Sequence, residues 1–179
     1  MLQLNNNTPF VAGFTIFPSE KAVDTLYIMV KATFLIGEQW TLAQSQIPLY
    51  QADEYWGEPA KSSLRFSSDY HIGKPSTDIL MIGSACAPDQ RSVRQMDVGL
   101  QVGSVSKVVR VFGDRYWNRE QMISPPEPFV TMPLVYERAF GGQDLIDGEM
   151  LRSAETKNPV GRGFTGHKHQ SELNGFPLP

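Results

Sequence analysis

A single cysteine, Cys86, among 179 residues excludes an internal disulfide and fits a reducing compartment. Positive charge is not in excess: 16 Lys and Arg stand against 19 Asp and Glu, a formal net charge of −3. A general binder of nucleic acid or of an anionic membrane needs a basic face, so neither is expected as a partner. Long apolar runs are missing as well. The best, LYIMVKATFLIG, is broken by Lys31 far short of a membrane span. The start, MLQLNNNTPF, lacks the basic stretch followed by an apolar run that marks a secretory signal. A soluble, cytoplasmic protein is the expectation. No internal repeat and no low-complexity tract is present, and the length suffices for a core without a metal or disulfide staple.

What is present reads as strands punctuated by corners. From Leu26 to Ile36 every even position is apolar, while the odd face carries Tyr27, Lys31 and Thr33. That two-residue period predicts a half-buried strand with its even face inward. PFVAGFTIF is a shorter candidate of the same kind, and QWTLAQ is placed to pair back after a turn at Gly37-Glu38. The stretch from Asp78 to Ala87 is apolar on both faces, as in a central strand. A strand near 93–102 follows, and Gly103-Ser104 supplies a tight link into VSKVVRVFG, so three strands are expected in an antiparallel meander.

Helical signal is weak. PSEKAVD offers one turn at most, and DGEMLRSAETK (Asp147–Lys157) a turn or two. Thirteen prolines and fifteen glycines suit a β architecture with many corners. The expected fold is mainly β, an antiparallel sandwich-like domain over 1–123 with a loop-rich extension, 124–179, packed on it as one structural unit.

Several stretches imitate chemistry. GRGFTG at Gly161–Gly166 matches the dinucleotide fingerprint letter for letter. That motif requires a buried strand before it and a helix after it, whereas KNPV precedes and HKHQSELNGFPLP follows. His167 and His169 could share one face of a strand, but zinc needs at least three protein ligands, so no metal is expected. Cys86, with His71 as a conceivable base, ends the doubly apolar stretch and is expected to be buried and inert. Asp53 and Glu54 resemble paired carboxylates, yet as sequence neighbours they point apart in an extended chain. Tyr55-Trp56 and Tyr116-Trp117 could form a sugar- or peptide-binding platform, although such residues more often cap a sandwich core. No catalytic constellation and no cofactor site emerges, and the protein is not expected to be an enzyme.

Two charged motifs stand out. VFGDRYW and VYERAFGGQD each join adjacent opposite charges, aromatics and glycine. If VYERAF is extended, Tyr136, Arg138 and Phe140 share one face, which suits Arg138 to stacking between two rings. Glu137 then faces the other way and needs a cation, with Arg115 and Arg162 as candidates. An Arg–carboxylate pair held bidentately fixes geometry, which suits a structural role. The motif residues singled out are Arg115, Trp117, Tyr136, Glu137, Arg138, Gly141, Gly142, Asp144 and Arg162. They are read as a strand ending in a Gly-Gly turn that shapes the loop-rich third.

The segments NNTPF, VKATFLI, PLYQADEYWGEP, SSLRFSSDYHIGKPSTDILMIGSACAP, VFGDRYW, PPEPFVTMPLVYERAFGGQD and NPVGRGF occur here in that order. The chain thereby resembles, over nearly its whole length, a bacterial domain-of-unknown-function family encoded beside type VI secretion spike genes. The most specific combination is P-x-P-F-x-x-M-P-L-x-Y-E-R-A-F-G-G-x-D. The resemblance implies a non-enzymatic adaptor or chaperone that helps load a toxic effector or a PAAR-type tip protein onto the VgrG spike. It carries over no catalytic residue. Members usually continue past FPLP, which leaves open a short member or a chain cut within its last third. The alternative is a hydrolase using acids among Asp53, Glu54, Glu137 and Asp144, or a carbohydrate-binding sandwich, acting on cell-envelope glycans.

Overall fold

The computed structural model describes residues 2–120, 122–146, 149–166 and 172–179. The fold is mainly β, as the alternation and the many corners imply. Two compact units are formed: Met1–Trp56 with Leu64–Thr77, and Gly57–Ser63 with Asp78–Pro179.

In the first unit β1 (Val11–Pro18) and β2 (Asp24–Lys31) make an antiparallel hairpin in full register from Val11↔Lys31 to Pro18↔Asp24. Its turn is closed by Ser19 and Val23, with the Ser19 N–H donating to the Val23 carbonyl at 2.7 Å. β3 (Phe34–Leu35) and β4 (Thr41–Leu42) form the expected return after Gly37-Glu38. β5 (Glu54–Tyr55) pairs with β6 (Leu64–Phe66).

The alternation in β2 was read correctly as a strand but with the wrong side inward. Thr25, Tyr27, Met29 and Lys31 are half-buried, while Leu26, Ile28 and Val30 are exposed, Ile28 and Val30 by about 60%. The reason lies opposite the odd face. Gly13 leaves room for Leu49 and Tyr70, since a Cβ there would fall 2.7 Å from both Leu49 Cδ1 and the Tyr70 hydroxyl. Lys31 is held on the same side: its Nζ lies 2.7 Å from Asp69 Oδ2 and 4.0 Å from the centre of the Tyr50 ring. Tyr50 in turn stacks on Phe66 at 4.8 Å. One anchored ammonium with its aromatic partner and a glycine gap therefore outweigh the apolar pattern in choosing the face.

In the second unit β8 (Gln95–Val102) and β9 (Val105–Phe112) form the expected hairpin across Gly103-Ser104. The meander does not extend to a third strand. Only β7 (Ser84–Cys86) forms within 78–87, and it pairs with β11 (Thr131–Pro133). Ile79, Leu80, Met81 and Ile82 precede it exposed. Cys86 is exposed rather than buried, because Ala85 is the β7 residue that points into the core. That core joins Ala85, Val111, Phe129 and Met132, with Val93, Met96, Val98 and Leu134 against it. A bridge between Val93 and Phe129 seats the Phe129 ring there.

Four further pairs occur among the described residues of the unit: β10 (Arg115–Tyr116) with β16 (Pro177–Leu178), β12 (Phe140–Gly141) with β15 (Arg162–Gly163), and β13 (Gln143–Ile146) with β14 (Glu149–Ala154) in named strands, plus a bridge of Trp117 to Ile123. The β12–β15 pair is parallel, unlike the rest. The segment expected to hold a helical turn, Asp147–Lys157, instead supplies β14; Asp147 and Gly148 lie outside the described residues. No helix among the described residues is long and apolar enough to cross a membrane.

Candidate functional site

VYERAFGG is not a continuous strand. Tyr136–Arg138 form a 3₁₀ turn between the extended residues Val135 and Ala139, and Phe140–Gly141 then enter β12. The turn sends Glu137 and Arg138 to different partners. Glu137 meets Ser63: its Oε1 accepts the Ser63 N–H at 2.6 Å and its Oε2 accepts the Ser63 hydroxyl at 2.9 Å. Neither Arg115 nor Arg162 serves this carboxylate. Burial would push the Glu137 carboxyl up, but the hydrogen bonds, led by the Ser63 amide, hold it below its ordinary range.

Arg138 does not stack between rings. Its Nη2 donates to Asp114 Oδ1, and Arg162 Nη2 donates to the same oxygen at 2.8 Å. The bond from Arg138 is the main reason the Asp114 carboxyl sits below its usual value. Arg115, the next residue along, rests on Phe112 with its guanidinium 4.1 Å from the ring centre. Its Nε and Nη2 both donate to the Pro179 carbonyl, the Nε at 2.9 Å. Burial, and then the charge of Arg162, lower the Arg115 pKa. Two guanidiniums, those of Arg138 and Arg162, thus share one carboxylate oxygen, while Arg115 is held elsewhere. The Nε groups of Arg138 and Arg162 and the Trp117 indole Nε1 are buried with no hydrogen-bond partner among the described residues.

The glycines account for how these strands approach. Gly141 and Gly142 have positive φ, +153° and +111°. A Cβ on Gly142 would fall 2.7 Å from the Gly161 carbonyl oxygen, and one on Gly141 would collide with the Asn158 backbone. A Cβ on Gly161 would likewise fall 2.6 Å from the Ala139 carbonyl oxygen. The fingerprint-like GRGFTG therefore places its first glycines for backbone packing against 139–142. Buried Asn158 ties the loop together: its Nδ2 donates to the carbonyls of Tyr136 at 2.8 Å and Phe140 at 3.0 Å. Asp144 is 2% exposed and packs its carboxylate against Gly166.

The structure thus brings Arg138 and Arg162 to Asp114, takes Arg115 to the Pro179 oxygen instead, and packs Gly141 and Gly142 against the 158–162 backbone. Trp117 lies on the same chain segment, with its N–H bonded to the Phe176 carbonyl. Tyr136 and Phe140 are exposed. Three organising residues escaped sequence reasoning. Asp114 was visible within VFGDRYW, and Asn158 precedes a proline, which favours a turn. Ser63 had no local signal, lying 74 positions from Glu137.

Other candidates resolve separately. Asp53 accepts the Ser68 N–H at 2.8 Å, and Glu54 lies exposed in β5. Trp56 carries the Arg65 guanidinium 4.7 Å above its ring. His71 Nδ1 lies 3.0 Å from the Ile72 carbonyl. His167 and His169 fall outside the described residues. No group of three or more potential metal ligands occurs among the described residues.

Neither a curated protein nor a solved structure matches the chain. A family model does, over residues 21–179, and with that coverage the chain belongs to the bacterial family described as "uncharacterized protein conserved in bacteria (DUF2169)".

Proposed function

We propose that this protein is a non-enzymatic adaptor that helps load a toxic effector or a PAAR-type tip protein onto the type VI secretion spike. The observation that carries the reading is the open face of the β1–β2 hairpin. Residues opposite each other in an antiparallel pair share a face, so Ala12, Phe14 and Ile16 lie beside Val30, Ile28 and Leu26. All six are apolar, and Ile16, Leu26, Ile28 and Val30 are exposed by 42–61%. A contiguous exposed apolar patch marks a surface made to be covered by a partner. Both hairpin edges are also unpaired within the described structure, and an edge can accept a partner strand. The family resemblance supplies the kind of partner, a protein of the spike apparatus.

Co-expression with PAAR-type tip proteins and toxic effectors of a bacterium that carries the gene tests this. A complex with one of them is expected, lost on Ile28→Asp or Val30→Asp while the fold is retained. No complex with any of these tip or effector proteins, or one indifferent to both substitutions, would overturn the reading.

A further inference from the structure

We propose that Arg138 and Arg162 form a carboxylate-binding site for an acidic segment of a protein partner, flanked by the exposed rings of Tyr136 and Phe140. The inference rests on the reading of the chain as a protein-binding module, and it concerns a surface of the second unit.

Charge is the first argument. The guanidiniums of Arg138 and Arg162 carry two positive charges against the single negative charge of Asp114, a local excess of one in a chain whose net charge is −3. Glu137, next to Arg138 in the turn, is turned away onto Ser63. Arg162 lies close enough to Arg115 for its charge to be felt there. Like charges held together without matching counter-charges are costly, and a carboxylate from outside would relieve that cost.

Donor capacity is the second. A guanidinium has five N–H donors, and Arg138 and Arg162 each direct one nitrogen, Nη2, at a single oxygen of Asp114. Their side chains remain 29% and 20% exposed, so part of each is open to solvent.

The surroundings favour a polypeptide over a bare ion. Tyr136 opens the turn that ends in Arg138, and Phe140 stands opposite Arg162 in the β12–β15 pair. Their exposures are 63% and 55%, and neither ring stacks on an arginine among the described residues. Arginine beside exposed aromatic rings is the composition that concentrates binding energy in protein interfaces.

The test is calorimetric titration of the full chain with a peptide of alternating aspartate and phenylalanine, its asparagine counterpart, and inorganic phosphate. The aspartate peptide should bind, and binding should weaken as salt rises from low to high ionic strength. Arg138→Gln and Arg162→Gln should each weaken it about tenfold, the loss of one charge-assisted contact. Should either variant fail to fold, Asp114→Asn decides: it removes the internal competitor and should tighten binding, whereas a merely structural cluster gives no such gain. Equal binding of the asparagine peptide or of phosphate, or failure of Asp114→Asn to tighten, would overturn the proposal. Spike-protein capture through the Ile28 face is read in a separate complex, so the loss of one leaves the other standing.

Discussion

Ser63 holds both carboxylate oxygens of Glu137, one through its backbone N–H and one through its hydroxyl. The two residues are 74 positions apart, and Ser63 itself is buried. Removing the carboxylate leaves a buried N–H without its acceptor, a loss in the range of hydrogen bonds to charged groups, about 1.5–3 kcal/mol. Glu137→Ala is therefore expected to destabilise by about 2 kcal/mol in urea unfolding. Ser63→Ala deletes only the hydroxyl bond and should cost less. In the double variant the costs should fall short of the sum, because each deletion removes the other's partner.

The same pair sets an acid dependence. Glu137 and Asp114 both have carboxyls held below their ordinary values in the folded protein. Such groups bind protons more readily unfolded than folded, so their contribution is fully present above the unfolded value, near pH 4. It is lost as pH falls through the lower folded value. Urea midpoints should accordingly hold from pH 7 to about 5 and drop below pH 4. Glu137→Gln cannot titrate, and its midpoint should fall less steeply over that acid range. A variant curve parallel to the parent would remove Glu137 as a source of the dependence.

Gly142 and Gly83 make a matched contrast for the turn. Gly142 has φ +111° with the Gly161 carbonyl in the place of a Cβ, while Gly83 has nothing within 4 Å of that position. Gly142→Ala combines backbone strain with a backbone clash, mechanisms that each cost about 1–3 kcal/mol. Gly83→Ala should be neutral within about 0.5 kcal/mol. Comparison of the two by thermal unfolding checks the close approach of 139–142 to 158–163.

Local pattern made much of the fold legible. Two-residue alternation and the Gly-Ser link placed β1, β2, β8 and β9, and the turn after Ile36 placed the β3–β4 return. Pairing at a distance was not legible. Asp78–Ala87 has the apolar content of a central strand, but only Ser84–Cys86 finds a partner, in β11. The charged motifs mark the segment that shapes the loop-rich third, but an extended VYERAF gives them the wrong partners. A 3₁₀ turn rotates successive side chains differently from a strand, so Arg138 went to Asp114 and Glu137 to Ser63.

The inverted face of β2 gives the strongest test of how sequence pattern and packing divide the outcome. Periodicity alone makes Ile28 a core residue and Met29 a surface one. The structure reverses them: Met29 shares its side with Gly13, whose missing Cβ admits Leu49 and Tyr70, and with Lys31 bound to Asp69. Met29→Ala should then cost more stability than Ile28→Ala, with Ile28→Thr near the ±0.5 kcal/mol typical of surface changes. Gly13→Ala should be costly too, because the new methyl meets both Leu49 and the Tyr70 hydroxyl at 2.7 Å. Urea denaturation of the four variants decides the point. If Ile28→Ala proves the more damaging, the apolar face is the buried one and the open surface assigned to partner binding does not exist. If the order is as stated, those exposed side chains are available to a partner at little cost to the fold that presents them.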